Sequence, residues 1–312
     1  MYREEVEKLK EQISRDLRSS ARSYYKIGID SFHESRMRSW ADFQPAIGNL
    51  CIGVELLLKA VVAEKALAML YSGLPDEAML LLCYPDSLTD VHNSLSYAND
   101  LKYFTFKAIE IDKAVSLFYH FYPELKQEYK SFLSSLSSIR NISVHASVPD
   151  FQRYEMESIA YHSTKLFMKL SEIKVFKFFS IALEKKTENF IKYYEEEKVK
   201  KVKLALEAAR KKVKSGKIEI CTIYCNDWDS MSQECPICGS SGTLVGETDE
   251  SSDENGITLT FECDAFSCEA CGLELEDYEE LTLANIDTSI DRDNDVDKWC
   301  REKGYDEYED MW

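Results

Sequence analysis

Residues 46–73 read "AIGNLCIGVELLLKAVVAEKALAMLYSG", and the fold class of the first two thirds of the chain turns on this stretch. Leu50, Val54, Leu57, Leu58 and Val61 recur at helical spacing, which predicts a long amphipathic helix. Glu55 and Lys59 stand four residues apart and form an i,i+4 pair on that helix. The run is the most apolar of the chain, but Glu55, Lys59, Glu64 and Lys65 interrupt it, which argues against a membrane span. "SGLP" (72–75) closes it with turn residues.

Outward from this helix, the pattern stays helical. The N-terminus, "MYREEVEKLKEQISRDLRSS", is charged and helix-forming and lacks the apolar core of a signal peptide. Turn signals "YPDS" (84–87) and "YAND" (97–100) mark an interruption, and the helical pattern resumes over 105–147. Pro149 ends that run, because the residue before a proline is pushed out of the helical region. One or two long helices follow over 152–215, stopped at "KSGK" by Gly216 after a basic last turn.

Composition agrees. Among 312 residues, only 11 Gly and 6 Pro favour helix over sheet for most of the length, and the length suggests two domains. The net charge of −18 is unevenly spread: residues 1–215 hold 33 Lys+Arg against 29 Asp+Glu, whereas 216–312 hold 5 against 27. The acidity therefore belongs to the C-terminal third, and the preceding part can still meet a phosphate backbone.

After Gly216 the pattern changes to short β-rich segments, "KIEICTIYC", "GTLVGE", "ITLTFEC" and "LELEDYEELTL", with an acidic loop expected at 247–256. Within them "ECPICGS" supplies Cys235 and Cys238, and "FSCEACGLE" supplies Cys268 and Cys271. A glycine follows each pair and allows the tight turn that brings amide N–H groups toward the thiolates. Four sulfurs so placed predict a closed structural zinc site, a zinc ribbon without an open position for catalysis, with an iron–sulfur centre or a redox dithiol as the alternatives. The 29 residues between the pairs exceed the usual gap, which the acidic loop is expected to absorb. Cys263 is an alternative ligand that the symmetry of the pairs disfavours, and Cys221 and Cys225 read as core thiols. No secretion signal accompanies the cysteines, so a reducing, cytoplasmic setting is expected. The expected domains are 1–215, all-helical; 216–286, a zinc ribbon; and 287–312, an acidic tail.

One feature of the helical part carries chemistry. "SSIRNISVHAS" (137–147) places Arg140, Asn141 and His145 on a packing helix. Histidine suits proton transfer near neutral pH, and a guanidinium suits the charge that develops on a phosphate. Together they suit RNA strand cleavage, with the substrate's 2′-hydroxyl as nucleophile and no metal required. Five residues along a helix set two positions about 140° apart. A complete site therefore calls for two copies of the motif across a two-fold axis, a homodimer.

With the upstream "NLCIGVELLLKAVVA", this motif resembles the HEPN domains, whose signature is an arginine, a polar residue, then a histidine four to six residues beyond the arginine. Arg140, Asn141 and His145 match it in order and spacing over roughly the first two thirds of the chain. The resemblance implies a mainly α helical bundle and a dimer that cleaves RNA without metal. It implies an antiviral or toxin-like effector acting on tRNA or mRNA, with a regulatory or antitoxin protein as a further partner and no membrane association. Some members are non-catalytic modules that dimerise or bind nucleotides, and there the ribbon would serve as an adaptor.

Weaker signals remain. His33, His92, His120 and His162 lack such a context and read as surface or half-buried histidines rather than catalysts. Asp291, Asp293, Asp295 and Glu302 match calcium-loop positions, but Val296 occupies the place of the required glycine. "KVKKVKLALEAARKKVKSGK" (198–217) carries nine positive charges against one negative, as a solvated helix face or an RNA-binding stripe. The acidic C-terminal region is expected to lie against that basic helix, or against the Arg140 site, and hinder RNA.

Overall fold

The computed structural model describes residues 2–38, 43–84, 106–145, 153–173, 175–176, 182–216, 218, 227–253 and 256–303. It is mostly helical, with a small antiparallel sheet and a cysteine cluster toward the C-terminus. The chain divides into two compact units, Met1–Lys192 and Tyr193–Trp312.

The first unit contains helices α1 (Tyr2–Arg38), α2 (Phe43–Ala66), α3 (Asp76–Cys83), α4 (Ile111–Phe121), α5 (Lys126–His145) and α6 (Arg153–Glu172). It also takes the start of α7 (Lys185–Lys214), which runs across the division. Helix α2 is the centre, packed by α1, α4, α5 and α6. Ile47, Leu50, Val54, Leu57, Leu58, Val61 and Val62 are fully buried, and the intervening Cys51, Ala60 and Ala63 are buried too. The expected amphipathic helix is therefore buried around most of its circumference: Glu55 and Lys59 are enclosed as a pair, and the exposed Pro45 and Lys65 lie near its ends. Lys59 Nζ donates to Glu55 Oε1 at 2.7 Å, with side chains 12% and 9% exposed. By length and composition α2 and the turn after it could cross a membrane, yet they form the core of this bundle.

The run expected over 105–147 is two helices, because Tyr122 and Pro123 end α4 and a short turn through Leu125 leads into α5. Phe132 of α5 stacks on His162 of α6, with ring centroids 5.6 Å apart. His33 of α1 contacts Thr187 Oγ1 at 3.1 Å and lies edge-on to Phe190. Burial, with Lys186 and Arg36 nearby, pushes its imidazole down to about 4. His120 lies edge-on to Phe121, and His92 lies outside the described residues.

In the second unit, strands β1 (Ser230–Glu234), β2 (Ser241–Asp253), β3 (Gly256–Cys268) and β4 (Leu273–Leu275) follow one another in an antiparallel sheet. Strand β5 (Ser289–Asp291) adds to the other end of β3, and helices α8 (Tyr278–Leu283) and α9 (Val296–Lys303) complete the unit. The expected acidic loop at 247–256 is instead the outer part of a long hairpin, with Glu247 opposite Glu262 and Asp253 opposite Gly256. Its strands form because β-branched Thr248, Thr258 and Thr260 and Ile257 suit an extended backbone, while Glu247 and Glu250 are exposed.

"LELEDYEELTL", expected as β, is strand β4 followed by α8. Asp277 Oδ1 caps α8 by accepting from the Glu280 N–H at 2.9 Å, and Glu280 Oε2 accepts from the Glu276 N–H at 2.9 Å. The tail expected from 287 is part of this unit as far as Lys303. There Arg292 is buried, bonded to Asp295 at 2.8 Å and to the Asp227 carbonyl at 2.8 Å, and stacked on Trp228. Asp295 thus serves a guanidinium and Glu302 accepts from the Trp228 indole N–H, so these two carboxylates of the calcium-like spacing are engaged by other side chains.

Helix α7, expected to belong wholly to the helical domain, places Val202 and Ala209 in the apolar core of the sheet unit, with Leu244, Phe261, Phe266, Leu273 and Leu281. Its basic run meets the acidic unit as the charge split anticipated. Lys198 Nζ reaches Asp277 at 2.8 Å and Glu279 at 2.5 Å. Lys201 Nζ reaches Glu276 at 2.5 Å and the buried Glu280 at 2.8 Å. Burial works against the Lys198 charge, but Glu279 and Asp277 more than offset it and raise its pKa.

Candidate metal centre

The four cysteines converge through two tight turns. The first follows β1, where the Gly239 N–H donates to the Cys235 carbonyl at 3.0 Å; the second joins β3 to β4, where the Gly272 N–H donates to the Cys268 carbonyl at 2.7 Å. Both glycines have φ near +70°, a left-handed conformation that a side chain would strain. The two knuckles are thus equivalent in conformation, as the repeated C-x-x-C-G predicts.

What carries Cys268 to the centre is a change of phase in β3. Leu259, Phe261 and Cys263 are buried at alternate positions, and then Phe266 and Cys268 are buried, one residue out of step. The shift comes from a bulge: Val245 pairs with Ala265 but Gly246 pairs with Cys263, leaving Asp264 extra. Gly246 permits the crossing, since a Cβ there would sit 2.0 Å from the Glu262 carbonyl oxygen. No pattern in the sequence marks this bulge beyond the glycine itself.

The resulting sulfurs all lie within 4.8 Å of one another. Cys235 Sγ is 3.6 Å from Cys271 Sγ, and Cys238 Sγ is 3.5 Å from Cys268 Sγ. A tetrahedral thiolate centre with metal–sulfur bonds of about 2.3 Å has sulfur–sulfur edges of about 3.8 Å. The cluster is that size, and the four cysteines can hold a metal ion. Burial pushes the Cys235 and Cys271 thiols up. Burial also opposes the Cys238 thiolate, but the polar groups of Ser240 together with the Cys268 and Cys235 thiols more than offset it and bring that thiol down to about 7. Ser240 is a neighbour that spacing alone did not single out. Cys263 is not among the four; it is buried in the apolar core, its N–H donating to the Thr288 carbonyl at 2.8 Å. Cys221 and Cys225 lie outside the described residues.

The other predicted site residues, Arg140, Asn141 and His145, lie on the last turns of α5, His145 being its final residue. Their backbone is helical, so the Cα positions of Arg140 and His145 stand about 140° apart around the axis. Their side chains lie outside the described residues. No protein-family model, curated protein or solved structure matches the chain.

Proposed function

We propose that the chain is a cytoplasmic, homodimeric endoribonuclease of the HEPN type, an antiviral or toxin-like effector whose second unit is held by structural zinc. The reading is carried by one observation: the R-N-x3-H motif occupies the end of a single helix, α5, that packs on the central helix α2. On a helix the motif's arginine and histidine diverge, which favours a site completed by a second copy. In that site Arg140 stabilises the phosphate as charge develops, and Asn141 orients the histidine or contacts the phosphate. His145 accepts the 2′-hydroxyl proton, and His145 of the partner subunit protonates the departing 5′-oxygen. The 2′-oxygen bonds to phosphorus as the phosphorus–O5′ bond breaks, leaving a 2′,3′-cyclic phosphate and a 5′-hydroxyl. The reaction draws its nucleophile from the substrate, so divalent metal is not required.

Zinc is the metal proposed for the four cysteines, since a closed tetrahedral set of four thiolates is the donor set of structural zinc. Its place is to hold the knuckles together, and no thiolate is left over for catalysis.

The test incubates purified full-length chain with total RNA in the absence of added divalent metal, with bound zinc measured before and after. Cleavage that generates 2′,3′-cyclic phosphate ends and is lost in both Arg140→Ala and His145→Ala supports the reading. Equal cleavage by all three proteins, or none by zinc-loaded dimeric wild type, overturns it.

A further inference from the structure

Helix α7 sorts its cations onto two sides. Lys198 and Lys201 flank the buried Val202 and Ala209 and are engaged by carboxylates of the sheet unit. Lys212, on the same side, reaches the Glu269 carbonyl at 3.4 Å. The remaining cations of α7 within the second unit, Lys200, Lys203, Arg210, Lys211 and Lys214, are all exposed and lie within an arc of about 100° on the opposite side. Lys203, Arg210, Lys211 and Lys214 have no ion-pair partner among the described residues, and Lys200 has only Glu197 at 3.5 Å.

We propose that this outer face of α7 is a docking surface for the backbone of single-stranded RNA. Three observations favour that occupant. From Lys200 to Lys214 the cations run in a line of about 21 Å, the length of several phosphates. Five cations stand on this face against one acid, the exposed Glu207, so it is a strip of net positive charge on an otherwise acidic unit. Among the described residues the large apolar side chains exposed on this side of α7 are Leu204 and, two turns before the strip, Tyr193, too little to seat the helix in a bilayer. Cations that merely complement the helix dipole belong in the last turn, which accounts for Lys211 and Lys214 but not for Lys200 and Lys203. The choice of RNA as the polyanion rests on the ribonuclease reading; the surface itself does not.

The probe is a short, fluorescently labelled 2′-O-methyl oligoribonucleotide, which binds as RNA but cannot be cleaved by its own 2′-hydroxyl. Anisotropy titrations with the full chain are made at several salt concentrations. Four phosphates neutralised on a single strand give a slope of log K against log salt of about −2.8, an affinity loss of about 50-fold between 50 and 200 mM. The variant Lys203→Gln/Arg210→Gln/Lys211→Gln/Lys214→Gln, with metal content and far-UV circular dichroism confirming its fold, loses that slope. Lys198→Gln/Lys201→Gln, on the inner side, keeps it. An unchanged slope and affinity in the quadruple variant overturns the proposal. So does binding to polyglutamate or phosphatidylserine vesicles in preference to the oligonucleotide. If cleavage by the Arg140 and His145 variants equals wild type while the slope change holds, the ribonuclease reading falls and the surface stands; the reverse result removes the surface alone.

Discussion

The Glu55–Lys59 pair tests whether α2 is the centre of the bundle. The two charges meet at 2.7 Å with about a tenth of each side chain exposed. At an effective dielectric constant near 20 their attraction is about 6 kcal/mol, and desolvation of several kcal/mol per ion opposes it. The pair as a whole is thus close to neutral for stability. Removing one partner is not, because the other charge stays buried: Glu55→Leu or Lys59→Met is expected to cost about 3 kcal/mol or more. The double variant should cost much less than the sum, with a coupling energy of at least about 3 kcal/mol. An exposed helix pair would give below about 1 kcal/mol. Thermal unfolding followed by far-UV circular dichroism, which the helical unit dominates, reads each loss as a fall in Tm of roughly 6–12 °C for a unit of this size. Two small, additive effects would refute the reasoning, since they would mean that solvent screens the pair and that α2 lies at the surface.

Three further outcomes are expected. Gly246→Ala places a Cβ 2.0 Å from the Glu262 carbonyl oxygen, so the bulge must shift and metal content should fall; a stoichiometric metal load at unchanged stability would contradict this account of how Cys268 reaches the site. Removing the metal with a chelator, or making Cys268→Ser, should abolish cooperative unfolding of the second unit, read from Trp228 and Trp299 fluorescence. The Tm of the helical unit should be nearly unchanged. His33, held down to about 4 by burial and by Lys186 and Arg36, binds its proton more readily when unfolded. Its contribution is therefore present above about pH 6.5 and is lost as pH falls toward 4. Partial exposure screens this to about 1–2 kcal/mol, and His33→Gln should flatten the fall in Tm across that window.

The metal centre was legible because its information is local. Two C-x-x-C-G repeats specify both the ligands and the left-handed glycines that turn the chain around them, and the structure places all four sulfurs together. The bundle was legible in its helices but not in their burial. Glu55 and Lys59 look like a solvent-facing pair in one dimension, and only the packing of other helices around α2 encloses them. The hairpin was missed for a related reason: strand pairing between residues 248–253 and 256–260 is made across the turn, while the local composition, rich in Asp, Glu and Ser, reads as loop. Helix α8 was missed although its D-x-x-E capping box was present in "EDYEEL", because alternating Leu and Glu upstream suggested that the strand continued.

The boundary at Gly216 matters most for function. Gly216 does end a helix, with φ of +68°, but the end of a helix is not the end of a packing unit. Val202 and Ala209 lie in the same core as the cysteines, so α7 from Tyr193 onward is a structural part of the acidic unit. Deleting 216–312 to expose a ribonuclease would strip that core and leave an apolar, basic helix uncovered; any change in activity would then report misfolding. The contact pattern puts the division at Lys192 and Tyr193. The charge asymmetry must be reassigned with it. Once the inner lysines of α7 are matched to Glu276, Asp277, Glu279 and Glu280, the unit's acidity is partly internal, and what it shows to a polyanion is decided by the outer face. Charge-neutral substitutions on that face, leaving both units folded, separate the roles that a truncation would confound.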